Sequence, residues 1–193
     1  MMQQDSLATN DRESQTIANL PDANPGMERL GARVDQAHTP SEELHFEDLN
    51  EGDRWESGFR QITADDVCQF SELTGDFDPL HQKQSALADE SPFGRPVVHG
   101  MLGLSILAGL GTEYPRAATL ALVGITDWEF TSPIYFGQSV KSVNEIESLE
   151  PHGRRAGRVV WLRKLVGEDG RVLQQGRLIT LVSARNRLVR TPK

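Results

Sequence analysis

Asp76 and His81 stand five residues apart in the stretch Asp76-Phe77-Asp78-Pro79-Leu80-His81. A carboxylate and an imidazole can share one water, one taking its proton while the other supplies a proton elsewhere. That division suits addition of water across a double bond. Pro79 lacks an N–H and restricts Asp78 before it, which predicts a loop here and not an uninterrupted helix. A loop can turn both side chains toward one small molecule. Taken singly, Asp76 and Asp78 read as turn residues and His81 as a surface or hydrogen-bonded histidine, so the chemistry depends on the combination.

Hydroxide added beta to a carbonyl leaves negative charge on the carbonyl oxygen, which then needs a donor. His99 and Gly100 open an apolar segment that runs to Leu110. A helix start offers unpaired N–H groups, and Gly100 has no side chain to block one of them. Gly100 and Gly103 equally suit close helix packing. His99 reads as a capping or packing residue or as a contact to a ligand.

The elements that must position these residues follow from spacing. Arg54 to Ile62 is strand-like, and Thr63 with Asp66 three residues on is a capping pair. Val67, Phe70 and Leu73 recur at helical spacing until Gly75 ends the helix. A second short helix is expected over 84–88, then an irregular connection through Ser91-Pro92-Phe93-Gly94-Arg95-Pro96. Residues 98–110 are too short to span a bilayer and lack a polar face, which predicts a helix wrapped by other structure. Strands are expected over 119–131, 139–149, 157–166 and 171–182, with turns at Pro151-His152-Gly153 and Glu168-Asp169-Gly170. Four consecutive strands after one apolar helix imply an α+β fold, a curved antiparallel sheet around that helix. The open sheet edge is best protected by a second copy.

The 193 residues suffice for one core, and a net charge of -8 argues against general nucleic-acid binding, which needs excess Lys and Arg. The single cysteine, Cys68, has no disulfide partner and reads as a small, partly buried helix residue. Without a basic leader or a long apolar run, the expectation is a cytoplasmic chain with no membrane partner. Residues 1–43 are too polar to form a core and read as an extension; 44–186 read as one domain and 187–193 as a tail. His38, His45, His81, His99 and His152 show no compact metal-ligand spacing, so no metal is expected.

Phe70 to His81, followed by Phe93 to Leu102, resembles the two-part signature of MaoC-like dehydratases and (R)-specific enoyl-CoA hydratases. Phe130 to Gly137 resembles the strand and turn after that family's central helix, so the likeness spans about residues 46–184. The resemblance implies a hot-dog fold, with Asp76 and His81 as the catalytic dyad and the Gly100 N–H as oxyanion donor. It implies reversible syn hydration of a trans-2-enoyl-CoA to an (R)-3-hydroxyacyl-CoA. The acyl-CoA thioester is then the partner, coenzyme A serves as a handle of the substrate, no separate cofactor is needed, and a homodimer or higher homo-oligomer is expected.

Asp78, Arg95, His99, Met101 and Leu102 are the expected substrate contacts, although Met101 and Leu102 suit helix packing as well. Arg154, Arg155, Arg158, Arg163 and Lys164 are candidate cations for the coenzyme, but Arg163 and Lys164 fall on opposite strand faces and most of the five read as solvated charges. One position departs from the family: Asp78 stands where Asn is usual, offering only acceptors beside Asp76. A thioesterase and a noncatalytic acyl-CoA binder are the alternatives to a hydratase.

Overall fold

The computed structural model describes residues 43–82 and 92–186; the expected extension before residue 43, the short helix over 84–88 and the tail after 186 lie outside the described residues. Thr63 caps helix α1, Ala64–Thr74, by the expected reciprocal pair. Its Oγ1 accepts the Asp66 N–H at 3.1 Å, and Asp66 Oδ2 accepts the Thr63 N–H at 2.8 Å. Gly75 closes the helix at φ 75°, a left-handed conformation that carries no penalty without a Cβ. Val67 and Ser71, one turn apart, are buried, whereas Cys68 on the other face is exposed, contrary to the expectation of partial burial.

The segment 54–62 forms two short strands where one was expected, β1 (Arg54–Glu56) and β2 (Arg60–Gln61). Between them, buried Ser57 donates its N–H to the Ser142 carbonyl at 3.0 Å and accepts the Ser142 N–H on Oγ at 2.9 Å. A hydroxyl thus replaces a main-chain carbonyl in the ladder, and the strand breaks there.

Helix α2, Gly100–Leu110, follows the site loop. The remaining strands are β3 (Thr119–Phe130), β4 (Ser139–His152), β5 (Ala156–Gly167) and β6 (Val172–Ser183). These described strands pair antiparallel, in the order β1-β4-β5-β6-β3, with β2 also on β4. β4 runs three residues past its expected end because Pro151 and His152 still face Gly157 and Ala156. The turn falls beyond them, at Gly153 with φ 72°. Leu102, Ile106 and Leu107 of α2 pack on Val140, Leu165 and Leu173 of the sheet. Each such side chain contributes about 1.5–3 kcal/mol on burial. This is the expected hot-dog arrangement, with one amendment. Met101, Ser105 and Gly109, at four-residue spacing, form an exposed stripe on the side of α2 away from the core.

Alternation along β5 turns Arg163 inward and Lys164 to the other face. Arg163 is only 8% exposed and lies against Gly111, where a Cβ would stand 2.3 Å from Nη1. Burial pulls its pKa down to about 10, which still leaves it protonated at neutral pH. Its charge therefore sits at the carbonyl end of α2, where a cation is favourable. Arg163 is a helix-end residue, and the sequence expectation that it holds coenzyme phosphates is corrected. Arg158 is engaged with Glu150 at 3.4 Å. Among the described residues no helix is long and apolar enough to cross a membrane.

Candidate active site

The loop after Gly75 is shaped by aspartates that accept main-chain N–H groups. Asp76 Oδ1 accepts the Asp78 N–H at 3.2 Å, and Asp78 Oδ1 accepts the Leu80 N–H at 2.9 Å, capping a 3-10 turn over Pro79–His81. Pro79 occupies the first position of that turn, where no N–H is needed. Gln82 Nε2 closes the loop by donating to the Phe77 carbonyl at 2.7 Å.

His81 Nδ1 lies 2.8 Å from the Val97 carbonyl. A carbonyl only accepts, so Nδ1 carries a proton, and it is the neutral form of the ring that offers an Nε2 lone pair. His99 packs against His81 with ring centroids 3.8 Å apart and planes 31° apart. Its Nε2 lies 3.2 Å from the Asp76 carbonyl and 3.3 Å from Ser71 Oγ. By the same logic the proton is on Nε2. Nδ1 is buried without a partner among the described residues.

His99 is 2% exposed, and its burial lowers its pKa below the usual 6.5. It is a neutral imidazole that ties α1, the loop and the start of α2 together. The ring expected to contact ligand is enclosed by its neighbours. A depressed histidine pKa means the unfolded chain takes up the proton first, so this stability is present above about pH 6.5 and is lost as pH falls below it. We expect the thermal midpoint to drop between about pH 7.5 and 5.5, and His99→Asn to flatten that drop. Parallel profiles for the two proteins would contradict this role.

Asp76 is exposed and His81 half-buried, and the ligand atoms of Asp76, His81 and His99 lie within 4.8 Å of one another. Two acceptors each about 2.8 Å from one tetrahedral water stand up to roughly 4.6 Å apart, so groups gathered this closely are within reach of one small molecule. His99 is a poor ligand for an ion shared with Asp76 and His81, because its Nε2 is engaged by the Asp76 carbonyl and Ser71 Oγ. At the start of α2 the first N–H bonded within the helix is that of Gly103, to the His99 carbonyl at 3.2 Å. The N–H groups of Gly100, Met101 and Leu102 precede it. Phe130, from the end of β3, lies on Gly100: a Cβ there would stand 2.8 Å from Phe130 Cε1.

Residues 52–161 match the family described as MaoC like domain. The chain belongs to the MaoC-like family. It is 32% identical over 114 residues to the 3-hydroxybutyryl-CoA dehydratase of Methylorubrum extorquens, covering 58% of this chain and 70% of that one. Identity to the (R)-specific enoyl-CoA hydratase of Aeromonas caviae is 34% over 91 residues, 47% of this chain and 66% of that one. The solved structure of a monoamine oxidase regulatory protein from Archaeoglobus fulgius superposes with a TM-score of 0.68 at 27% identity, over 73% of this chain and 95% of that one.

In this MaoC-like chain the other expected contacts spread out. Asp78 spends one carboxylate oxygen on the turn, an acceptor role that the usual Asn would fill equally well. The Arg95 guanidinium lies 3.5 Å above the Tyr135 ring. Met101 faces outward, whereas Leu102 belongs to the core and borders an apolar groove of about 330 Å³ with Arg60, Ser105, Ile106, Gly109 and Leu110. Sequence reasoning missed Ser71, the Val97 carbonyl and the contact of Phe130 with Gly100. The legible signal was Ser71, a polar residue one turn from Val67 on a helix face that should be apolar.

Proposed function

We propose that this MaoC-like chain reversibly adds water to a trans-2-enoyl-CoA, forming an (R)-3-hydroxyacyl-CoA. The observation that carries the reading is the Asp76 carboxylate and the His81 imidazole brought together by one loop, with ligand atoms within 4.8 Å of each other. With Nδ1 holding the Val97 carbonyl, His81 Nε2 and Asp76 each accept one water hydrogen, which leaves an oxygen lone pair free to attack. Asp76 takes the first proton as the oxygen bonds to C3, and electrons move through C2 to the thioester oxygen. The Gly100 N–H stabilises that oxygen. The proton then returns to C2 from the same side, which makes the addition syn, and no redox partner is consumed. The names of the Methylorubrum and Aeromonas relatives support an acyl-CoA substrate, and the second supports the (R) product.

The working form is a homodimer in the cytoplasm. β3 pairs only with β6 among the described strands and exposes Leu120, Leu122, Val123 and Ile125 along its length. An apolar, unpaired strand edge is stabilised by a second copy. Loss of enoyl absorbance without release of free thiol, across a small panel of enoyl-CoA esters, is the expected result. Thiol release would indicate thioester hydrolysis instead, and binding with no spectral change a noncatalytic acyl-CoA protein.

A further inference from the structure

Gln174, on the inward face of β6, is 1% exposed, and its Nε2 donates to the Gly100 carbonyl at 2.9 Å. Its Oε1 is buried with no partner among the described residues. A buried amide with an unused acceptor is destabilising, and an apolar side chain of that size would pack there without the penalty. What the amide supplies is the one bond to Gly100. The helix makes room for it: a Cβ on Gly103 would stand 2.4 Å from Gln174 Nε2 and 2.6 Å from Ile134 Cδ1.

The bond meets a specific physical need. Gly100 has the freest backbone of any residue type, yet an oxyanion donor is effective only if already aimed where charge will develop. Phe130 confines Gly100 on one side, and Gln174 pins its carbonyl on another. That carbonyl and the Met101 N–H share one peptide group, whose plane the bond fixes; the Gly100 N–H belongs to the preceding peptide group and is held through the Cα that joins the two.

We propose that Gln174 is a positioning residue that holds the first turn of α2 so that the Gly100 N–H is preorganised for the substrate's thioester oxygen. This rests on the hydratase reading above. Gln174→Leu is expected to lower kcat about tenfold with KM within about twofold, less than the roughly 10²-fold or greater loss on deleting a direct oxyanion donor. In the full chain labelled with ¹⁵N-methionine, the Met101 amide resonance shifts. Gln174→Glu gives a signature that packing alone does not. An ionised carboxylate faces the carbonyl unfavourably, whereas a protonated one donates, so kcat relative to wild type rises as pH is lowered.

An unchanged kcat in Gln174→Leu, or a loss confined to KM and thermal midpoint with the Met101 resonance unmoved, overturns the proposal. Should that variant not fold, a pH-independent ratio for Gln174→Glu overturns it. If the wild type hydrates no ester of the panel, the hydratase reading fails by itself, and an unshifted Met101 resonance then removes the clamp as well.

Discussion

Asp76→Asn is expected to lower kcat for enoyl-CoA hydration by roughly 10³-fold, with KM and the thermal midpoint near those of the wild type. The size follows from the role: an amide cannot take the water's proton, and a positioned general base is worth about 10² to 10⁴ in rate. The retained fold follows from the geometry. Asp76 is exposed, and its Oδ1 accepts the Asp78 N–H at 3.2 Å, a bond that an amide oxygen can also accept. Its main-chain carbonyl, which holds His99, is untouched by the change. Steady-state kinetics of the two proteins side by side check this. A loss below about tenfold would assign the first proton transfer to His81.

Lysine at both Leu122 and Ile125 is expected to convert the proposed dimer to a single chain on light scattering and to reduce activity with it. Both side chains are exposed on β3, and edge lysines oppose pairing because each would be desolvated beside its copy. The change leaves the pairing of β3 with β6 in place, so secondary structure by circular dichroism should persist. Activity falls because Phe130, which lies on Gly100, ends the same strand. A double variant that stays dimeric would place the interface elsewhere.

Local rules carried much of the fold. Thr63, Asp66 and Gly75 set the ends of α1 through bonds within a few residues, and Pro79 announces the loop in the same way. Strand-forming runs and the turn residues between them located the four long strands to within a few residues. Features that depend on register were not legible. Ser57 breaks a strand only because Ser142 stands opposite, and Arg163 reads as a surface cation until β5 is seen to turn it toward the end of α2.

The candidate site divides similarly. Asp76 and His81 were legible as a pair within one loop, whereas His99 and Gln174 act across long sequence separations that no local pattern encodes. At the turn, Asp78 in place of the family's usual Asn uses only an acceptor.

The most direct test is hydration of crotonyl-CoA in D₂O by the wild-type chain, followed at the enoyl band, with the product examined by chiral analysis and NMR. The account predicts (R)-3-hydroxybutyryl-CoA carrying one deuterium at C2, added on the same face as the hydroxyl. An (S) product, anti addition, or free thiol in place of a hydroxyacyl ester would contradict it.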